Sequence, residues 1–96
     1  MAINLTVTIQ SKANCVLEVK QILENLVQNS RKEKGCLQYD LHQSKDDASV
    51  FIFHEVWENK AIYDLHNSQQ YVTSFFGKAS ELLIAKPQVI FTDKIA

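Results

Sequence analysis

Apolar and polar positions alternate along residues 3–10, where Ile3, Leu5, Val7 and Ile9 are interleaved with Asn4, Thr6, Thr8 and Gln10. A period of two marks a strand with one buried face. The period then changes: Val19, Ile22, Leu23, Leu26 and Val27 recur at spacings of three and four. This predicts an amphipathic helix over residues 14–34. Asn14 is its candidate N-cap, and Gly35 suits the left-handed position that closes a helix. Residues 36–43 return to period two, with Leu37, Tyr39 and Leu41 against Gln38, Asp40 and His42. Residues 44–49 read as a polar turn and residues 50–57 as a third strand, so the two strands form an antiparallel hairpin. Asn59 caps a short helix holding Ala61, Ile62 and Leu65. Ser68 is a candidate cap for a helix of about four turns carrying Tyr71, Val72, Phe75, Phe76, Ala79, Leu82 and Leu83. Pro87 ends that helix, and residues 88–95 form the last strand.

The order βαββαβ with a central hairpin predicts an α+β, ferredoxin-like fold, an antiparallel sheet with its helices on one face. The third strand bears on the other face. Phe51, Phe53, Glu55 and Trp57 point one way; Val50, Ile52, His54 and Val56 point the other. Both sets are mostly apolar, and an exposed apolar patch marks an interface. The expectation is a two-fold homodimer packed through its sheets. With Ser44 opposite Val50, His42 faces Ile52 and Asp40 faces His54, so Asp40 and His54 are candidates to pair across strands.

Composition narrows the function. Ninety-six residues make one domain, 1–96, without repeats, linkers or low-complexity stretches. A formal net charge of -1 argues against a nucleic-acid or anionic-membrane surface. No segment approaches the ~20 apolar residues of a membrane span, and no signal peptide is visible at residues 1–10. Cys15 and Cys36 read as free thiols in a reducing cytoplasm rather than as a disulfide.

No Gly-rich phosphate loop, Cys-x-x-Cys or His-Glu-x-x-His occurs, so no metal site is expected. His54 and Glu55 are strand neighbours that point to opposite faces. The positive signal is Glu55 between Phe53 and Trp57 on one face, where a carboxylate must be paired, hydrogen-bonded or protonated. A structural or a catalytic role is open for it. Tyr39 and Trp57 each carry one polar atom on a large apolar body, as packing or as a pocket wall with directed donors. His66, at the end of the short helix, is either a cap that complements the helix dipole or a general base at a pocket mouth. Cys36 reads as a small core residue. Asn4, Thr6 and Thr8 line a pocket or face solvent; Tyr71, Phe75 and Phe76 belong to the core or to a cavity wall.

Taken together, Gly35-Cys36-x-x-Tyr39-x-Leu41, Glu55-x-Trp57, Ala61 and His66-x-Ser68 resemble the antibiotic biosynthesis monooxygenase family over nearly the whole chain. The resemblance implies a dimeric α/β barrel-like assembly of ferredoxin-like units. It implies one of three activities: cofactor-independent oxygenation of anthrones and quinols, haem degradation, or isomerisation of a small phosphorylated signalling dione of the autoinducer-2 type. Phe75 stands where haem-degrading relatives carry an axial histidine, so no cofactor is expected. On this reading the catalytic residues are His66, Trp57, Tyr39 and Glu55. The substrate, a small aromatic or dione that reacts with O2 in the oxygenase case, would meet Asn4, Thr6, Phe53, Tyr71 and Phe75. A non-enzymatic small-molecule-binding module is the remaining alternative.

Overall fold

A computed structural model describes all residues, 1–96. Its elements are β1 (Ile3–Gln10), α1 (Val16–Ser30), β2 (Cys36–Gln43), β3 (Val50–Trp57), α2 (Lys60–Asn67), α3 (Gln70–Leu82) and β4 (Gln88–Thr92). The four strands form one sheet in the order β2-β3-β1-β4, and every neighbouring pair is antiparallel. This is the expected α+β ferredoxin-like arrangement. Period-two alternation puts Leu5, Val7 and Ile9 on one face with Phe51, Phe53 and Trp57, and all six are buried. Val19, Leu23, Leu26 and Val27 of α1 and Val72, Phe75 and Leu82 of α3 complete that core.

The strand register is as expected, with Asp40 opposite His54 and His42 opposite Ile52. The proposed side-chain pair is not formed, however. Asp40 instead accepts from Arg31 Nη2 at 3.1 Å and from Gln38 Nε2 at 2.9 Å, while His54 Nδ1 lies 3.3 Å from Thr6 Oγ1. Arg31 reaches Asp40 because β2 is an edge strand, open to a side chain coming around it.

The expected closure into a dimeric α/β barrel is corrected by this topology. The sheet is open, with β2 and β4 as its edges, and a homodimer is not borne out by this single chain. The reason lies in the neighbours of β3. Val50, Ile52 and Val56 are flanked by Asn4, Thr6 and Thr8 of β1 on one side and by Gln38, Asp40 and His42 of β2 on the other. The outer face is thus a largely polar surface with an apolar stripe on β3, where those three side chains are half-buried, and with exposed Ile90 on β4. No helix is long and apolar enough to cross a membrane, and nothing in the fold bears out the expected cytoplasmic placement.

Element ends differ from the periodicity in ways that matter for the site. The first helix starts at Val16, capped by Cys15 rather than Asn14, and stops at Ser30. Residues 31–34 leave it through tight turns, with Lys32 N–H donating to Asn29 O and Glu33 N–H to Ser30 O. Gly35 has φ +84°, as expected, but it opens β2 rather than closing the helix. A bulge between Cys36 and Gln38 throws Leu37 out to solvent, so it does not share the inner face with Tyr39. The cap of α2 is the expected one: Asn59 Oδ1 accepts from Ile62 N–H at 2.9 Å. Ser68 terminates α2 instead of starting α3, its Oγ donating to Leu65 O. The third helix ends at Leu82, ahead of Pro87, because Leu83 turns extended and bridges Ser11.

Candidate active site

Of the four buried polar side chains, three gather at one end of the inner face: Ser30, Glu55 and His66. The fourth, Ser11, lies at the far end of β1 and donates to the neighbouring Lys12 carbonyl. Such concentration matters because each buried polar group costs stability unless it is satisfied.

Glu55 points inward from β3 by the same alternation that buries Phe53 and Trp57. It is 5% exposed and accepts from Trp57 Nε1–H at 2.9 Å. Burial pushes its carboxyl up to about 7; the indole hydrogen bond pulls the other way, and the charge of Glu33 adds to the rise. The sequence-based requirement that Glu55 be hydrogen-bonded or protonated is met in both senses near neutrality.

His66 sits on the inward side of α2 with Ile62 and Tyr63, while Leu65 faces solvent. It is 3% exposed, so it is no surface cap of the helix dipole. Its Nδ1 lies 2.8 Å from Glu33 Oε2, and this is its one side-chain hydrogen bond. Behind it stands the Trp57 indole, tilted at 31° with ring centroids 4.2 Å apart; Tyr39 meets it edge-on at 5.6 Å. Burial lowers the His66 pKa, and the bond to Glu33 and that group's charge oppose the fall. The imidazole is thereby kept neutral, the form that can take a proton.

Tyr39 is buried against Phe53 and Trp57, and burial, reinforced by Glu55, keeps its phenol firmly protonated. The Tyr71 hydroxyl also donates to Glu33 Oε2, and burial raises its pKa too. Ser30 Oγ is fully buried without a partner in hydrogen-bonding geometry, though it lies close enough to Tyr39 and Tyr71 to temper both phenols. Burial also lifts the Cys36 thiol, to about 11, which suits a packed thiol and not a nucleophile.

Beside this cluster lies a cavity of about 40 Å³, room for a few waters. Tyr39, Phe53, Glu55, His66 and Phe75 line it, with Leu5, Val7, Ile9, Leu26, Tyr63, Asn67, Phe76 and Val89. None of these is a lysine or arginine. Five of the nine expected site residues therefore share one cavity. Trp57 stands behind the wall, its donor engaged by Glu55. Tyr71 is turned to Glu33. Asn4 and Thr6 lie on the outer face with Val56 and His54, because the residues that alternate with them, Leu5 and Val7, take the inner one. Glu33 is the residue that sequence reasoning misses. It reads as one charge in a solvated helix end, Arg31-Lys32-Glu33-Lys34, and nothing in the pattern announces the early stop that turns it inward. No cluster of three or more His, Cys, Asp or Glu side chains is arranged to hold a metal ion.

Comparison with known proteins identifies the family and the fold. The family model described as "Antibiotic biosynthesis monooxygenase" matches residues 2–78. The chain belongs to the antibiotic biosynthesis monooxygenase family, as the motif resemblance implied, and so to a family associated with small-molecule oxidation. YcnE of Bacillus subtilis is 36% identical over 70 residues, 73% of this chain and 74% of that protein. The protein sll1783 of Synechocystis is 37% identical over 76% of this chain, but this chain spans only 49% of its length. Among solved structures, PA3566 from Pseudomonas aeruginosa superposes with a TM-score of 0.92 at 29% identity, covering 99% of this chain and 95% of that one. A crystal structure of an antibiotic biosynthesis monooxygenase shares the fold, with a TM-score of 0.90 at 24% identity over the full length of both chains.

Proposed function

We propose that this chain oxygenates a small, neutral aromatic substrate of the quinol or anthrone type, with His66 as the general base and no cofactor. The observation that carries the proposal is a neutral histidine on the wall of an apolar, cation-free cavity, with Nδ1 tied to Glu33 and no protein hydrogen bond to Nε2. A phenol or the enol of an anthrone gives its proton to Nε2. The resulting anion passes an electron to O2, and the radical pair combines to a peroxide. Loss of water leaves one oxygen atom in the product and the other in the water. The substrate supplies all the electrons, so no external reductant enters.

The remaining groups have definite parts in such a step. Tyr39 and protonated Glu55 are neutral donors toward the developing anion. Phe53 and Phe75 hold the ring and keep water out. A ring is larger than the cavity, so it enters by displacing Phe76 and Val89, the least buried of the lining residues that have large apolar side chains at 49% and 39% exposure. A phosphorylated dione fits poorly: no lysine or arginine lines the cavity to bind a phosphate.

The test is an oxygen electrode with the purified protein and a panel of hydroquinones and anthrones. The expectation is uptake with wild type and a loss of about 10²–10⁴-fold in His66→Ala. Uptake that is equal in the two proteins would refute the base assignment, and isomerisation of a dione without oxygen consumption would refute the reaction class.

A further inference from the structure

We infer that Glu33 is a positioning residue for His66: by accepting from Nδ1–H it fixes the imidazole tautomer and aims a bare Nε2 at the cavity. The inference rests on the reading of His66 as the base, but it makes a separate claim about Glu33, a residue outside that reading.

The local structure argues for it. Glu33 belongs to neither a helix nor a strand, and a helix continued through residue 34 would not need the turns that follow Ser30. Those turns, closed by Glu33 N–H on Ser30 O and Cys36 N–H on Glu33 O, carry the side chain under α2 and α3. There it is 13% exposed. Gly35 is part of the same device. Its φ of +84° turns the chain into β2, and its carbonyl accepts from Glu58 N–H at 2.9 Å, tying the turn to the start of α2.

The hydrogen bonds have only one sensible direction. Tyr71 O–H donates to Glu33 Oε2, and the same oxygen faces His66 Nδ1 at 2.8 Å. A carboxylate oxygen that already accepts from a phenol accepts from Nδ1–H as well. The neutral imidazole then carries its proton on Nδ1, and its basic lone pair is on Nε2. When Nε2 takes a proton, the carboxylate against Nδ1–H stabilises the imidazolium. Tyr71 competes for that carboxylate, since each donor spreads the same negative charge. The groups facing His66 are Glu33 from the turn, Tyr39 from β2, Trp57 and Glu55 from β3, Tyr63 from α2 itself and, through Glu33, Tyr71 from α3. Of these, Glu33 is the carboxylate in contact with the ring.

The experiment is a pH titration of the full chain labelled with ¹⁵N-histidine, read by two-bond nitrogen–proton correlation, in wild type, Glu33→Gln and Tyr71→Phe. The His66 signals are assigned by their absence in His66→Gln. In wild type the neutral ring should carry its proton on Nδ1. Glu33→Gln should mix the tautomers and move the His66 midpoint down, whereas Tyr71→Phe should move it up. A structural role alone gives no such opposition of sign. A wild-type ring protonated on Nε2, or a Glu33→Gln protein that folds with His66 unchanged, overturns the inference. If Glu33→Gln fails to fold, Tyr71→Phe and the wild-type tautomer still decide. Oxygen uptake separates this claim from the one it rests on. The expected NMR shifts in a protein that consumes no oxygen leave the Glu33–His66 pair standing and remove the oxygenase. Uptake that is lost in His66→Ala but unaltered in kcat and in pH profile by Glu33→Gln does the reverse.

Discussion

The two faces of the sheet carry similar polar side chains in very different surroundings. The outer face offers Thr6, Asp40, His42 and His54; the inner face offers Tyr39, Glu55 and, from α2, His66. Outside, the Thr6–His54 contact is 3.3 Å long and the Arg31–Asp40 pair is half in water, so both are weak and screened. Inside, Glu55 and His66 are nearly dry, and burial moves the titration of each away from its ordinary range. Residue type does not distinguish the two histidines; their surroundings do, for His66 is buried and bonded to Glu33 whereas His54 is exposed to solvent.

Substitutions on the two faces sharpen that contrast, and the largest effect is expected at Trp57. It is fully buried between β2 and α2 and serves both Glu55 and His66. Trp57→Ala should cost about 3–5 kcal/mol in urea unfolding; a loss below 1 kcal/mol would mean that the inner cluster is loosely packed.

Next in size is Glu55→Gln, whose effect depends on pH. The folded carboxyl titrates at about 7 and the unfolded one near 4.5, so the folded state holds a proton across that window that the unfolded state releases. Wild-type stability therefore contains a contribution that is lost as pH rises from 4.5 through 7. Glutamine removes this titration. Its stability relative to wild type should rise by on the order of 3 kcal/mol between pH 4 and pH 8. A pH-independent difference would show that Glu55 ionises freely. His66 works with the opposite sign: its lowered pKa means that stability is lost as the pH falls below its ordinary range.

Gly35→Ala should cost about 1–3 kcal/mol, because φ is +84° and the added Cβ would come within 2.7 Å of Ile62 Cγ2. The same substitution should loosen the turn that carries Glu33, so the His66 tautomer would become mixed. The smallest effect belongs to the outer face. Thr6→Val should stay within about 0.5 kcal/mol in denaturant unfolding, and a larger loss would dissolve the distinction between the faces.

Most of the fold could be read from the chain because its elements announce themselves by period. β1 and β3 alternate cleanly, and the hairpin register follows from the polar turn. The outer face was misjudged because β3 was weighed alone: the polar residues that flank it belong to strands adjacent in space but distant in sequence. The site was legible where a polar group interrupts an apolar face, as Glu55 does between Phe53 and Trp57. His66 was legible as a candidate but not as a buried one, since its short helix turns the Ile62–Tyr63–His66 side inward and leaves Leu65 in water. Glu33 was not legible, because its position depends on where α1 stops, and element ends are set by local turns that leave little trace in hydrophobic pattern.

The most direct measurement compares one histidine from each face. Oxygen uptake with a neutral quinol or anthrone is followed in wild type, His54→Gln and His66→Gln. The account predicts that His54→Gln consumes oxygen like wild type, while His66→Gln falls by about 10²-fold or more. Equal rates in all three proteins, or a loss confined to His54→Gln, would contradict it.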